Sequence, residues 1–230
     1  DLENLMNEAA LLAARKGHKA LTLEDIEEAT IKVVAGPEKR SRVISDKEKK
    51  LTAYHEAGHA VTTYYSETQD PVHEISIIPR GAAGGYTMSL PEHDKSYMGK
   101  KEMEENIVTL LGGRVAESLI LDDISTGASN DLERATKLAR SMVTRYGFSD
   151  KLGPIVYGQD DGEIFLGPDL GPTRNSSEEV AAEIDGEVRR IIGTAYTTAR
   201  TILSDHIDQL HTVAQYLIKN EKASGEIFVK

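Results

Sequence analysis

The segment His55-Glu56-Ala57-Gly58-His59 constrains the fold of this chain more than any other feature of its sequence. Residues four apart share one face of an α-helix, so a helix lets both imidazoles reach a single metal ion. Glu56 lies one step round from the first histidine, where it can take a proton from water at the metal instead of binding the metal. The segment therefore predicts a helix that carries a zinc site, with Glu56 as the catalytic base. The plain structural alternative is a pair of helix histidines beside a bystander glutamate.

The composition restricts how such a metal can be held. The 230 residues include no cysteine, which excludes disulfides, thiol nucleophiles, iron–sulfur clusters and cysteine zinc fingers. Any metal must therefore be bound by histidine and carboxylate side chains. The formal net charge of −11 argues against nucleic acid and anionic membrane surfaces as partners. No apolar run approaches the ~20 residues that span a bilayer.

The third ligand of the predicted zinc site is not settled by spacing. The metzincin pattern needs Gly and His at positions 62 and 65, where this chain has Thr62 and Tyr65. Two downstream carboxylates remain: Glu117 on a predicted helix, and Asp131 in the first turn of the next, where the helix dipole keeps a carboxylate ionised. The residues alone leave both open. The other histidines lack paired spacing and are predicted to be ordinary surface residues: His18, His73, His93, His206 and His211.

The hydrophobic patterns predict a mainly α-helical fold with a small β-sheet. Strand-like patterns cover 72–78 and 85–90, with a weaker pair at 154–157 and 163–166. Apolar stripes along 177–221 indicate core or subunit packing. Helices are predicted at 46–66, 99–121, 130–146, 177–204 and 206–221.

The chain also divides by pattern. Residues 1–36 are predicted to form two short helices, the first ending at Gly17 and the second starting after Thr22, with Asp25 in a capping box. Residues 37–45 are charged and aperiodic, as in a linker; 46–222 then form the main domain and 223–230 a C-terminal tail. Because the chain begins on Asp1 inside a helical pattern, we expect it to be a piece of a longer protein.

Five motifs follow one another along the main domain. They are Tyr54-His55-Glu56-Ala57-Gly58-His59-Ala60, Ile77-Ile78-Pro79-Arg80-Gly81, Gly84-Gly85-Tyr86-Thr87, Leu111-Gly112-Gly113-Arg114 and Ser125-Thr126-Gly127-Ala128-Ser129-Asn130-Asp131. In order and spacing they resemble the peptidase domain of the FtsH family of membrane-bound, ATP-dependent zinc proteases. The resemblance covers about residues 45–222, and the segment 4–13 resembles the last helices of the AAA+ lid that precedes this domain.

The resemblance implies a role for each candidate of the site. It makes His55, His59 and Asp131 the ligands of one Zn²⁺ per chain and Glu56 the catalytic glutamate. Glu117 is left as a group that supports a ligand from behind. It also implies a sheet edge on which extended substrate adds as a further strand. The residues of that edge are Gly84, Gly85, Tyr86, Thr87 and Met88.

The resemblance further implies a larger assembly, of which this chain is one part. We expect a homo-hexameric ring whose AAA+ module threads unfolded protein substrates into the peptidase chamber. No G-x-x-x-x-G-K-[ST] phosphate-binding motif is present, so ATP and Mg²⁺ are expected only in the full-length protein. That protein is expected at the bacterial inner membrane with this domain in the cytoplasm, and the fragment itself is expected to be soluble.

Two other functions remain as alternatives. The first is a proteolytically silent, zinc-dependent scaffold that assembles rings through the helices of 177–221; the intact His-Glu-x-x-His motif argues against it. The second is a helical interaction module without metal. A casein assay with and without chelator separates the first from a protease, and metal analysis tests the second.

Overall fold

The computed structural model describes residues 2–38, 44–81, 83–91, 93–121, 123–157 and 177–229. Within these ranges the chain is mainly helical with one small antiparallel sheet, which confirms the predicted fold class. The elements are α1 Leu2–Lys16, α2 Leu23–Ala35, α3 Asp46–Tyr64, β1 Val72–Ser76, β2 Tyr86–Ser89, α4 Lys100–Ile120, a 3₁₀ turn Thr126–Ala128, α5 Ser129–Thr144, α6 Glu178–Asp205, α7 Ile207–Asn220, β3 Lys222–Ser224 and α8 Gly225–Phe228.

The predicted helices match the observed ones within two residues at each end. Helix α2 starts with the predicted capping box, in which the Thr22 side chain accepts from the Asp25 amide and Asp25 accepts from the Thr22 amide. Such a reciprocal pair satisfies two amides that the first turn leaves without helical partners. The helix ends at Gly36, whose φ of 87° is in the region that favours glycine. Helices α1 and α2 pack against each other.

Helices α3 and α4 approach so closely that their backbones touch. A Cβ added to Gly58 would lie 2.5 Å from the Gly112 carbonyl oxygen, and one added to Gly112 would lie 2.7 Å from the Gly58 carbonyl oxygen. A glycine inside a helix costs roughly 0.5–1 kcal/mol relative to alanine. Both glycines are therefore explained by the crossing, which brings α4 against the His-Glu-x-x-His face.

The apolar stripes of α6 and α7 are core packing within the chain. Helix α6 packs on α4 and α5, and α7 packs on α3. Two apolar residues at the helical spacing that predicts these stripes, Ile202 and Val213, are only partly buried, and Leu203 next to Ile202 is fully buried. The buried stripe residues are Ile184, Val188, Ile191, Ala195, Ala199, Leu210 and Leu217.

The sheet has the strand order β2-β1-β3, all antiparallel. Ile75 of β1 lies opposite Thr87 of β2 on one side and Ala223 of β3 on the other. The third strand was not predicted, because three residues are too few to show an alternating pattern. Strand β1 is also shorter than predicted, and the amide of Ile77 donates to the Glu221 carbonyl beyond its end.

The prediction of a weaker strand pair is wrong for the strand that the structure describes. Residues 154–157 form no strand in the described part of the chain. Instead, the Tyr157 amide donates to the Thr144 carbonyl at 2.8 Å and so holds this segment to the end of α5. The proposed partner, 163–166, lies outside the described residues. In the ranges that are described, no helix has both the length and the apolar character of a membrane span.

Candidate metal centre

The two histidines of α3 point their outer nitrogens at one spot. The Nε2 atoms of His55 and His59 lie 3.0 Å apart, and both side chains are largely buried. They come from successive turns of a helix that begins at a Ser45 cap, whose side chain accepts from the Glu48 amide. The i, i+4 spacing therefore places both rings on one face, as expected.

The inner nitrogens of both rings have acceptors behind them. His55 Nδ1 lies 2.7 Å from Glu117 Oε1, and His59 Nδ1 lies 2.7 Å from the Thr109 carbonyl oxygen. Since these acceptors carry no proton at neutral pH, each Nδ1 is the donor, which leaves each Nε2 as the atom that binds a metal once the metal displaces any proton there. Helix α4 supplies both acceptors and so orients both rings.

Asp131 completes a group of three converging atoms. Its Oδ2 lies 3.4 Å from the Nε2 of His55 and 3.4 Å from the Nε2 of His59. Ligands at about 2.0–2.1 Å from a tetrahedral zinc are about 3.3–3.4 Å from each other. The two Asp131 distances match this spacing, and the 3.0 Å between the histidine nitrogens is a little shorter. The donor set therefore fits a zinc ion, with three protein ligands and a fourth position left for water or substrate.

Glu117 lies on the opposite side of His55 from this group. It is fully buried and accepts from the Ser125 amide at 2.7 Å and from the Ser125 hydroxyl at 3.0 Å, in addition to His55 Nδ1. Its oxygens are therefore occupied away from the Nε2 atoms. Of the two carboxylates that spacing left open, the geometry brings Asp131 to the candidate metal position.

The carboxylates of Asp131 and Glu117 act electrostatically on His55. Burial by itself lowers the pKa of His55, but hydrogen bonds to Asp131 and Glu117 outweigh burial and raise this pKa to about 10. Burial likewise favours a neutral Asp131, yet the contacts with both histidines lower the pKa of its carboxyl well below its usual range. The site is thus built to hold positive charge.

Glu56 lies beside this group and has a different environment. It is 5% exposed, and burial raises the pKa of its carboxyl. The Thr87 hydroxyl of β2 donates to Glu56 Oε2 at 2.9 Å. A carboxylate with a raised pKa suits a group that accepts a proton and returns it. Glu56 therefore lies between the candidate metal position and strand β2 at the edge of the sheet.

Two glycines leave room for this arrangement. A Cβ on Gly85 would lie 2.9 Å from Glu56 Oε1 and 2.7 Å from the Ser76 carbonyl oxygen. A Cβ on Gly113 would lie 2.6 Å from both His55 Cε1 and His59 Nε2. The role of Gly113 was not deduced from the sequence; a Gly112-Gly113 pair inside a helical pattern was the available signal.

The predicted substrate-edge residues are only partly gathered at the site. Strand β2 is an edge strand of the described sheet, with Gly84 and Gly85 just before it. Thr87 reaches Glu56, whereas the Tyr86 hydroxyl contacts Glu74 and Met88 lies opposite Glu74 in the register. Strand β2 thus contacts the candidate catalytic Glu56 through Thr87, and its outer edge pairs with no other strand in the described part of the chain.

The remaining histidines lie outside the three-atom group. His18 and His93 are exposed, as predicted, and His73 is half-buried. His206 stacks on the ring of Tyr65, and His211 bonds the Tyr54 hydroxyl at 2.9 Å, so both are half-buried packing residues rather than free surface ones. The surface prediction is therefore wrong for His73, His206 and His211. The aromatic contacts of His206 and His211 join residues far apart in the chain, so no sequence spacing reveals them.

Comparison with known proteins gives consistent matches. The model of peptidase family M41 matches residues 42–230. The ATP-dependent zinc metalloprotease FtsH 1 of Thermoanaerobacter sp. (strain X514) is 64% identical over 230 residues, which are 100% of this chain and 38% of that protein. The ATP-dependent zinc metalloprotease FtsH of Caldicellulosiruptor bescii is 61% identical over the whole chain, covering 37% of its length. The chain thus spans less than two-fifths of these curated relatives.

Proposed function

Because this chain belongs to peptidase family M41, we propose that it is the peptidase unit of an ATP-dependent zinc metalloprotease that cleaves unfolded polypeptides. The observation that carries the proposal is the convergence of His55 Nε2, His59 Nε2 and Asp131 Oδ2 beside the buried carboxylate of Glu56. When bound there, zinc supplies Lewis-acid chemistry to water and to a carbonyl group.

In this proposal the protein's own residues move the proton and position the substrate. Glu56 takes a proton from the attacking water and delivers it to the departing amine, while Thr87 fixes the orientation of its carboxylate. Glu117 and the Thr109 carbonyl keep the imidazoles in the tautomer that binds metal.

We also propose that extended substrate adds to the free edge of β2. Main-chain hydrogen bonds would hold the peptide, and the absence of side chains at Gly84 and Gly85 lets its backbone come close. The Thr87–Glu56 contact supports this proposal, because a peptide on this strand lies next to the proton-transfer group. The strand accepts many sequences in this way, which suits unfolded substrates.

For the whole protein we propose the assembly that the resemblance to the FtsH family implies. Helices α1 and α2, within residues 1–36, would end an AAA+ lid, and 37–45 would connect it to a peptidase domain of 46–222. The tail 223–230, which includes the end of β3 and α8, would be packed on that domain. The full-length protein would be a homo-hexamer with an upstream AAA+ module, which uses ATP and Mg²⁺, and an anchor in the bacterial inner membrane. The greater length of the relatives supports this proposal.

A peptidase assay with a zinc measurement on the same sample tests the proposal. The chain should contain one zinc ion per copy and cleave casein, and a chelator should stop the cleavage. Zinc retained without any cleavage would contradict a peptidase and favour a ring-forming scaffold. Absence of zinc from a folded sample would contradict both.

Exchanging the two carboxylates separately should distinguish a ligand from its support. Asp131→Asn should weaken zinc binding by more than about 100-fold, whereas Glu117→Gln should weaken it by about 10- to 100-fold. The first change removes a ligand charge, and the second only loosens the orientation of His55. Zinc affinity measured by competition with a chelating dye checks both. Equal affinities in Asp131→Asn and the unchanged chain would exclude Asp131 as a ligand.

Removing the Thr87 hydroxyl should slow the chemistry without releasing zinc. Thr87→Val keeps the shape of the side chain but leaves Glu56 Oε2 without its donor, so kcat should fall by about tenfold. Thr87→Ser keeps the hydroxyl and is the matched control. Steady-state cleavage of casein with parallel zinc analysis measures the effect. A kcat for Thr87→Val equal to that of Thr87→Ser would show that this contact does not matter.

A further inference from the structure

Arg80 is buried to an extent that is unusual for arginine. It follows β1, is 2% exposed and takes no part in the metal centre. Its Nη1 donates to the Gly36 carbonyl oxygen at 3.1 Å, and its Nη2 donates to Glu38 Oε1 at 2.7 Å. Both acceptors belong to the segment that leaves α2. A buried guanidinium therefore depends on this segment for its hydrogen bonds.

The segment Gly36–Glu38, here called the connector, is held from two further directions. The Gly81 amide donates to the Pro37 carbonyl at 3.4 Å. Lys222 of β3 donates to the same Glu38 oxygen at 2.6 Å. The connector is thereby attached both to the turn after β1 and to the outer strand of the sheet.

The other side of Arg80 faces β2. Its guanidinium lies 5.6 Å from the centre of the Tyr86 ring, within the range of a cation–π contact. Its backbone forms a tight pair with Ala83, with the amide of each residue donating to the carbonyl of the other at 3.1 and 2.8 Å. This turn leads directly into β2. One side chain thus contacts both the connector and the first residue of the strand that carries Thr87.

We propose that Arg80 is a positioning residue that couples the connector to β2, so that peptide binding on β2 is stronger while the connector is in place. If the connector moves away, the guanidinium loses two acceptors and its counter-charge in a buried place, where such losses are costly. It must then reorient and release Tyr86. The position of the connector and the position of β2 are therefore coupled, so a change in either one shifts the other. This inference rests on the proposed peptidase function and adds a second input to its substrate site.

Kinetics and amide exchange on four variants of the zinc-loaded chain test the coupling. Arg80→Met and Glu38→Gln should each raise KM for casein about tenfold, with kcat falling no further than in Thr87→Val and zinc content unchanged, because the placement of β2 contributes to peptide binding in the ground state and the transition state alike. Hydrogen exchange of the amides of 86–89 should be at least about tenfold faster. The double variant should raise KM by clearly less than the two single changes combined, because both weaken the Arg80–Glu38 pair. Arg80→Lys should restore part of the KM.

The matched control is Arg140→Met. Arg140 pairs with Asp185 at 2.7 Å on the outside of α5 and α6, where both side chains are about half exposed. It should change neither KM nor the exchange of β2. Unchanged KM and unchanged β2 exchange in both Arg80→Met and Glu38→Gln would overturn the coupling, as would independent, additive effects in the double variant.

Two further outcomes stay decisive. If the unchanged chain does not cleave casein, the proposed function fails, and β2 exchange in the variants alone decides the coupling. If Arg80→Met does not fold, as judged by circular dichroism, Glu38→Gln and Lys222→Met replace it. Both loosen the connector at residues that are more exposed than Arg80. Normal β2 exchange in both would then reject the proposal.

Discussion

Replacing Glu56 with glutamine should leave the zinc content at one ion per chain and reduce casein cleavage by at least about 10²–10⁴-fold, the usual contribution of a general acid–base group. Glutamine keeps the size of the side chain and can still accept from the Thr87 hydroxyl. It cannot take a proton from water. Since Glu56 is outside the three-atom group, the metal position is left intact. Zinc analysis and initial rates on one preparation measure both effects.

The Glu56→Gln result needs a control in which a neighbouring buried glutamate is changed in the same way. Glu117→Gln is the matched change, because it also removes one buried carboxylate charge close to His55. We expect Glu117→Gln to bind zinc more weakly but to cleave casein at nearly the unchanged rate once zinc is saturating. If Glu56→Gln still cleaved casein at a substantial rate, Glu56 would not be the proton-transfer group and the mechanism would have to be abandoned.

Adding one methyl group at Gly113 should disable the metal centre. A Cβ there would lie 2.6 Å from an atom of each imidazole, far inside normal contact distance. The rings have no room to retreat, since Glu117 and the Thr109 carbonyl hold them from behind. Gly113→Ala should therefore weaken zinc binding by more than about 100-fold, and overpacking should cost about 1–3 kcal/mol of stability. Metal titration and urea unfolding check the two effects.

Gly193→Ala is the control for this change. Gly193 lies inside α6 with nothing within 4 Å of its added Cβ. The same substitution should therefore stabilise the chain by about 0.5–1 kcal/mol, because alanine is the better helix former. Zinc affinity should not change. If Gly113→Ala bound zinc as tightly as Gly193→Ala, the close approach of α4 to the histidines would be wrong.

The parts that sequence predicted well are those that depend on local periodicity. Helices α5, α6 and α7 repeat at 3.6 residues and can each be deduced from their own segments, and the helix around His55 and His59 is indicated by the spacing of the two histidines. The choice between Glu117 and Asp131 is of another kind. Both carboxylates are far from the motif in sequence, and only the crossing of α3 with α4 decides which side of His55 each one reaches. Spacing contains no information on that crossing.

The parts that were missed are long-range contacts between short polar segments. Strand β3 pairs through Ala223 with Ile75, and Arg80 reaches back to Gly36 and Glu38. Neither contact leaves a periodic pattern, and an arginine in a turn is predicted to be exposed by composition alone. Gly113 was visible as an oddity, but its reason lies in the imidazoles of another helix.

The pairing of β1 with β3 has a consequence for the order in which the ribosome delivers the chain. Helix α3 and the β1–β2 hairpin can form early in synthesis, because their partners are close in sequence. Strand β1, however, keeps one open side until Lys222–Ser224 has emerged, after α6 and α7 have been made. The sheet that positions Thr87 beside Glu56 therefore closes among the last steps of folding. A nascent chain should therefore form the helix that carries His55 and His59 well before it gains peptidase activity.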